Sequence, residues 1–210
     1  MIRTMPPSVV YSYRDNLYVN LTNRCPVACS FCIKSSWKWM YRGHDLRLRR
    51  DPGIPDVIEA LGDLQKYEEL VFCGYGESTY RLEELKAVAR EARARGIRSI
   101  RLNTIGLANL IHQRDVVPDL MGIVDAVSIS LNTADPDQWR ELHRPLKAYA
   151  HEGFLAAQEF IRDSARSLPR AVVTAVNLPG VDIPRVEALA KTLGASFRLR
   201  PLLDGRGEGA

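Results

Sequence analysis

Three thiols fall within eight residues, Cys25, Cys29 and Cys32, in the run Asn-Arg-Cys-Pro-Val-Ala-Cys-Ser-Phe-Cys. Cys29 and Cys32 are close enough in sequence for both sulfurs to reach one centre. Cys25 lies across a short loop containing Pro26, which removes a backbone donor. Clustered thiolates are a metal-site signal. A closed structural zinc site takes four protein ligands, and an iron-sulfur cluster held by cysteine alone also takes four. Three ligands leave one position open, and an open position on a metal is where chemistry takes place. The competing reading recruits Cys73, the remaining cysteine of the chain, as a fourth zinc ligand or a disulfide partner.

The thiols need a rigid support, and the residues before them supply one. Leu17, Val19 and Leu21 alternate with Tyr18, Asn20 and Thr22, and a Thr-Asn-Arg break follows, so a strand ends where the cysteines begin. Five more apolar runs read as strands, at 69–73, 99–103, 125–131, 171–176 and 196–200. Helical spacing fills the intervals at 54–64, 81–95, 135–142, 153–167 and 183–193, with short helical pieces between 107 and 121 interrupted by Pro118. Gly96 and Gly194 stop two of these helices, and Asp135 before Pro136 is an N-cap. Strands alternating with helices predict an α/β fold with a parallel sheet, because parallel neighbours need crossover connections. Periodicity alone leaves an open doubly wound sheet and a curved barrel equally available, and a full barrel needs eight strands.

In parallel α/β folds ligands gather at the carboxyl ends of the strands. Those positions here hold Gly74-Tyr75-Gly76-Glu77, Asn103-Thr-Ile-Gly, and Ser128-Ile-Ser130-Leu-Asn132. The glycines permit close backbone approach to a ligand, and the carboxylate can hold a cation. Asn103 and Asn132 have a plainer reading, in which they satisfy turn backbone groups. Arg144 is either a fork donor to a carboxylate or a surface ion-pair partner. Arg198 and Arg200 share one face of the last strand and, if they point inward, suit an anionic substrate. Segment 34–50 holds six Lys/Arg against one Asp, with Trp37, Trp39 and Tyr41 interleaved. It reads either as a surface loop shielding the thiols or as a grip for phosphates and bases, with Arg42 and Arg47 as contacts.

The spacing Cys25-x3-Cys29-x2-Cys32, with Phe31 immediately before the last cysteine, resembles the signature of the radical S-adenosylmethionine (SAM) superfamily. The resemblance implies that Cys25, Cys29 and Cys32 hold a [4Fe-4S] cluster whose remaining iron is chelated by SAM. It further implies that Gly74, Tyr75, Gly76 and Glu77 receive the SAM amino group, that Phe31 packs near the cluster or adenine, and that Asn103, Ser130, Asn132 and Arg144 contact ribose or carboxylate. The loop 177–182 would then support the adenine. Members are commonly partial (β/α)6 barrels, which implies a parallel six-stranded curved sheet here. The segments Asn-Leu-Thr-Asn-Arg-Cys-Pro, Phe-Cys-Gly-Tyr-Gly-Glu, Val-Ser-Ile-Ser-Leu-Asn and Leu-Pro-Gly-Val-Asp are similar to the TatD-associated branch of the superfamily. The chain departs from it at Ser78, at Ile105 and in the basic aromatic insert. Reductive cleavage of SAM to a 5′-deoxyadenosyl radical that takes hydrogen from an unidentified substrate is the implied reaction, with a flavodoxin or ferredoxin-type reductant as partner.

Composition bounds the remainder. With 46% hydrophobic and 26% charged residues, the 210-residue chain matches one average globular domain. The expected division is an extension at 1–15, a domain at 16–201 and a flexible Gly-rich tail at 202–210. Four cysteines, three of them in one window, do not form a secreted disulfide framework, and no apolar run approaches the roughly 20 residues of a membrane span. A cytoplasmic location with no membrane partner is expected. A net charge of +4 over this length specifies no partner, and nucleic acid rests on the insert alone. The alternatives are a glycyl-radical activase acting on a partner protein and a non-catalytic metal- or RNA-binding module. No second cluster domain is evident, so auxiliary-cluster chemistry on long peptides is not expected.

Overall fold

The computed structural model describes residues 8–203. Residues 1–7 of the expected extension, and 204–210 of the expected tail, lie outside them. A curved, mostly parallel sheet of seven strands organises the chain. In chain order the strands are β1 (Val10–Tyr13), β2 (Asn16–Val19), the two-residue pieces β3 (Met40–Tyr41) and β4 (His44–Asp45), β5 (Glu69–Phe72), β6 (Ser99–Thr104), β7 (Ala126–Ser130), β8 (Ala171–Val176) and β9 (Ser196–Arg200). The main sheet has the order β1-β2-β5-β6-β7-β8-β9, and β3 and β4 form a separate hairpin.

From β2 to β9 each pairing is parallel and joins strands consecutive in that order, so the sheet grows in one direction. That is the strand order of a barrel wall left open rather than of a doubly wound sheet. The six expected parallel strands are all present. The seventh, β1, pairs antiparallel with β2 through the two-residue turn Arg14-Asp15, with Arg14 at φ 52°. The stretch expected to be a plain extension thus covers the free edge of the strand that delivers the cysteines.

Among the described residues eight α-helices lie between strands: α1 (Ile33–Ser36), α2 (Ile54–Leu61), α3 (Leu82–Ala94), α4 (Ala108–His112), α5 (Val117–Leu120), α6 (Pro136–His143), α7 (Gly153–Ser167) and α8 (Ile183–Thr192). Asp135 caps α6 through Gln138 N–H at 2.8 Å, and Asp182 caps α8 through Arg185 N–H at 3.0 Å. Gly96 and Gly194, at φ 93° and 83°, reverse the chain after α3 and α8.

The strands sort their side chains by face. Leu102, Val127, Ile129, Val173 and Ala175 are buried against Leu85, Val88, Ala157, Phe160 and Val186 of the helices. Residues in the opposite phase, Arg101, Asn103, Ser128, Ser130, Thr174, Arg198 and Arg200, line cavities on the other face. Period-two alternation therefore places an apolar core outside the curve and a polar hollow inside it.

The outer core holds the curve. Truncating Phe160, which is fully buried on α7, to Ala costs about 3–5 kcal/mol. A lowered denaturant midpoint for Phe160→Ala, without change in the denaturant slope, is the expected result.

Candidate active site

The cysteine loop follows β2 and borrows its shape from two neighbours. On one side the backbone of Gly74–Glu77 lies directly against it. Cys73 N–H donates to Val19 O at 3.0 Å and Glu77 N–H to Arg24 O at 2.7 Å. A Cβ at Gly76 would sit 2.2 Å from Thr22 O, and one at Gly74 2.1 Å from Asn20 Oδ1. Both glycines are required by contact with the chain itself. On the other side, Ala28 N–H donates to His143 O at 2.9 Å, Ser30 N–H to Leu142 O at 2.8 Å, and Leu146 N–H to Pro26 O at 2.9 Å. The end of α6 and the His143-Arg144-Pro145 segment thereby strap the loop down.

Cys25, Cys29 and Cys32 line one cavity of about 220 Å³, together with Phe31, Cys73, Gly74, Tyr75, Gly76, Glu77, Asn103, Ser130 and Asn132. All four cysteines are free thiols, so no disulfide involves Cys73. Among the described residues no three Cys, His, Asp or Glu side chains converge on a point that one metal ion could occupy. Three free thiols lining one cavity are the donor set that a cysteine-held iron-sulfur cluster with one open position takes. Burial pushes the Cys25 thiol up to about 11 and drives Cys29 up as well. Lys34 pulls both back a little, but burial dominates.

Glu77 is fully buried, and its carboxylate is committed to the chain. Oε1 accepts from Thr79 N–H at 3.2 Å, Thr79 Oγ1 at 2.9 Å and Thr104 Oγ1 at 3.0 Å, while Oε2 accepts from Ile105 N–H at 2.8 Å. Burial raises its pKa and these four donors pull it back. Glu77 therefore ties the ends of β5 and β6 together beside the cysteine loop.

His143 went unnoticed in the sequence except as Arg144's neighbour. Its ring is buried, stacks on Trp139 at 4.9 Å and meets Phe31 edge-on at 5.7 Å. Its Nδ1 stands 3.3 Å from Cys29 Sγ. Val176 N–H donates to Asn132 Oδ1 at 2.9 Å, so the amide nitrogen of Asn132 faces His143 Nε2 at 3.2 Å as a donor, while Leu131 O lies 3.3 Å from the same nitrogen as an acceptor. In the tautomer that Asn132 favours, Nε2 accepts and the proton on Nδ1 is aimed at the sulfur; in the one that Leu131 O favours, the proton is on Nε2. Burial lowers the His143 pKa to about 4, which keeps the ring neutral.

Other expectations fare differently. Ser128, Ser130 and Asn132 share the cavity face as period two requires, and Asn103 joins them. Asn132 holds the chain at φ 64° and serves Val176 and His143, so its turn-satisfying role is real. Arg144 is exposed at φ 46°, ends α6 and lines no part of this cavity. The left-handed cap turns it outward and His143 inward. Phe31 lies in a turn before α1 and lines the cavity. Cys73 is half-buried on the cavity wall. Loop 177–182 does not reach the cavity.

The basic aromatic segment folds back onto the chain. Trp37 stacks on Tyr41 at 5.9 Å, Trp39 meets Tyr75 edge-on at 5.9 Å, and Tyr75 Oη donates to Met40 O at 2.7 Å. Arg42 lies over Tyr13 at 4.2 Å and Arg47 over Trp39 at 5.7 Å. The segment roofs the tyrosines of β1 and β2.

Replacing Glu77 with Gln puts an amide group among groups that donate, leaving a buried donor facing a donor. A loss of about 1–3 kcal/mol follows, to be read from chemical denaturation of the cluster-free protein.

The Radical SAM superfamily matches residues 19–193 of the chain. No curated protein matches the sequence. Among solved structures, a radical SAM methyltransferase from Sphaerobacter thermophilus superposes with a TM-score of 0.53 at 17% identity, covering 91% of this chain and 68% of that one. Methylornithine synthase (PylB) gives 0.57 at 15% identity, over 92% of this chain and 55% of that one. SuiB from Streptococcus suis gives 0.61 at 14% identity, over 95% and 42% respectively. The chain spans about half the length of the last two, and at these identities the likeness is one of fold. With the family match spanning most of its length, this chain belongs to the radical SAM superfamily.

Proposed function

We propose that the chain binds a [4Fe-4S] cluster through Cys25, Cys29 and Cys32 and reductively cleaves SAM to act on a small substrate, as part of the TatD-associated branch. The observation that carries this reading is the set of three free thiols on one wall of a cavity whose other walls are Gly74–Glu77, Asn103, Ser130 and Asn132. When bound, the cluster supplies an electron to the sulfonium of SAM, and the carbon radical so released takes hydrogen from the substrate. A flavodoxin or ferredoxin-type reductant and a cytoplasmic location accompany this reading. Among the described residues no helix is long and apolar enough to cross a membrane.

The protein's own part is to bind, orient and shield. The backbone of Gly74–Glu77, held in place by the Glu77 carboxylate, presents polar groups beside the thiols for the SAM amino group. Ser130 and Asn103 offer hydroxyl and amide groups across the cavity. Phe31, Val27 and Ile105 supply apolar wall that keeps water from the reacting centre. In the tautomer that Asn132 favours, His143 donates its Nδ1–H toward the Cys29 sulfur, where it withdraws electron density from a cluster ligand.

Two measurements test this. After anaerobic reconstitution with iron and sulfide, the wild type with dithionite and SAM yields 5′-deoxyadenosine; the Cys25→Ala, Cys29→Ala, Cys32→Ala triple variant holds no iron and yields none. Stoichiometric zinc in place of iron in the native protein overturns the proposal. His143→Phe keeps the stacking on Trp139 but removes the N–H donor, so its cluster assembles and its midpoint potential, followed by electron paramagnetic resonance, moves to more negative values. An unchanged potential removes His143 from this role.

A further inference from the structure

A second, larger cavity of about 410 Å³ adjoins the first. The two share Phe31, Cys32, Cys73, Gly74, Tyr75, Asn103, Arg198 and Arg200 as common wall. Its volume falls in the range of small-molecule sites. Tyr11, Tyr13, Tyr18, Tyr41 and Tyr75 line it, and among the described residues no carboxylate does. Tyr11 and Tyr18 stack at 5.1 Å, while Tyr41 stands edge-on to Tyr11 at 5.9 Å, so the rings form a rigid aromatic wall.

Three arginines face this cavity, and they are not equivalent. Arg101 is neutralised by Glu69 at 2.8 Å and donates to Asn103 Oδ1 at 2.7 Å. Arg198 and Arg200, two residues apart on β9, have no carboxylate within ion-pair distance among the described residues. Arg200 gives one N–H to Ser130 Oγ at 3.2 Å, and its buried Nε has no partner. Arg200 is half-buried and Arg198 more exposed; loss of solvent around each lowers its guanidinium pKa, and for Arg198 the nearby Arg101 adds to the effect. Two cations on one wall, one of them with an orphaned donor, leave a place for a negative group.

Building on the radical SAM reading, we infer that this cavity takes a small organic anion with a planar apolar body, an aromatic carboxylate or phosphate ester, its ring against the tyrosines and its charged group at Arg198 and Arg200. The shared wall of Phe31, Cys32 and Tyr75 places such a molecule next to the thiol-lined cavity. The arginine fork recognises carboxylate and phosphate alike.

Calorimetry on the reconstituted protein tests this with phenyl phosphate and phenylacetate as probes, phenol as the neutral counterpart and inorganic phosphate as the ring-free one. At least one aromatic anion binds tenfold or more tightly than both phenol and inorganic phosphate, and its affinity falls as salt is raised. Arg198→Gln weakens that binding at least tenfold, Arg198→Lys restores most of it, and Tyr41→Ala erases the advantage over inorganic phosphate. The affinity for SAM, measured on the same samples, stays unchanged in Tyr41→Ala, whose ring lines only the second cavity. The inference is overturned if phenol binds as tightly as the anions, if neither anion binds while SAM does, or if Arg198→Gln weakens SAM instead. A protein that binds the aromatic anion but neither SAM nor iron overturns the functional reading and leaves the anion site standing.

Discussion

The cysteine loop contains no helix and no strand of the main sheet, and backbone hydrogen bonds to two remote segments hold it in place. Glu77 N–H to Arg24 O secures its start, and Ala28 and Ser30 secure its middle to the end of α6. Each bond contributes about 0.5–1.5 kcal/mol net, which is modest as stability. Their geometric effect is larger, because they convert a flexible eight-residue window into a fixed triangle of sulfurs. Where the sulfurs sit is therefore decided by β5, by the turn after it and by a helix more than a hundred residues downstream.

The Gly74–Glu77 turn shows how one motif serves structure and site together. Its glycines are small because Thr22 and Asn20 press against them. Its carboxylate is buried because it ties Thr79, Thr104 and Ile105 into one unit. What remains to meet a ligand is the backbone itself, which such close packing holds rigid. Preorganised main-chain groups need no reordering when a ligand arrives.

Much of this architecture was legible in the sequence. α7, β8 and β9 begin and end where their apolar patterns do, because glycine, proline or a polar residue interrupts the pattern near each end. β1 escaped notice because four residues carry too little alternation to stand out, and its partner is supplied by the chain just beyond the turn. The β3–β4 hairpin is two residues per strand and is held by rings packing on rings, which no periodicity records. Arg144 and His143 illustrate a sharper limit. A left-handed residue at a helix end reverses which of two neighbours faces inward, and nothing in His-Arg-Pro declares that reversal. The pairing of Asn132 with His143 and of His143 with Cys29 depends on long-range packing, so it had no local signature.

Trp139 is fully buried, and its indole lies flat on the imidazole that touches Cys29. With the proposed cluster bound at Cys29, an excited indole so close to an iron centre with broad visible absorption would lose its energy to that centre before it could emit. On that reading the tower of Trp139, His143 and Cys29 amounts to a built-in lamp that would dim when the cofactor is in place, an intrinsic optical gauge of its occupancy.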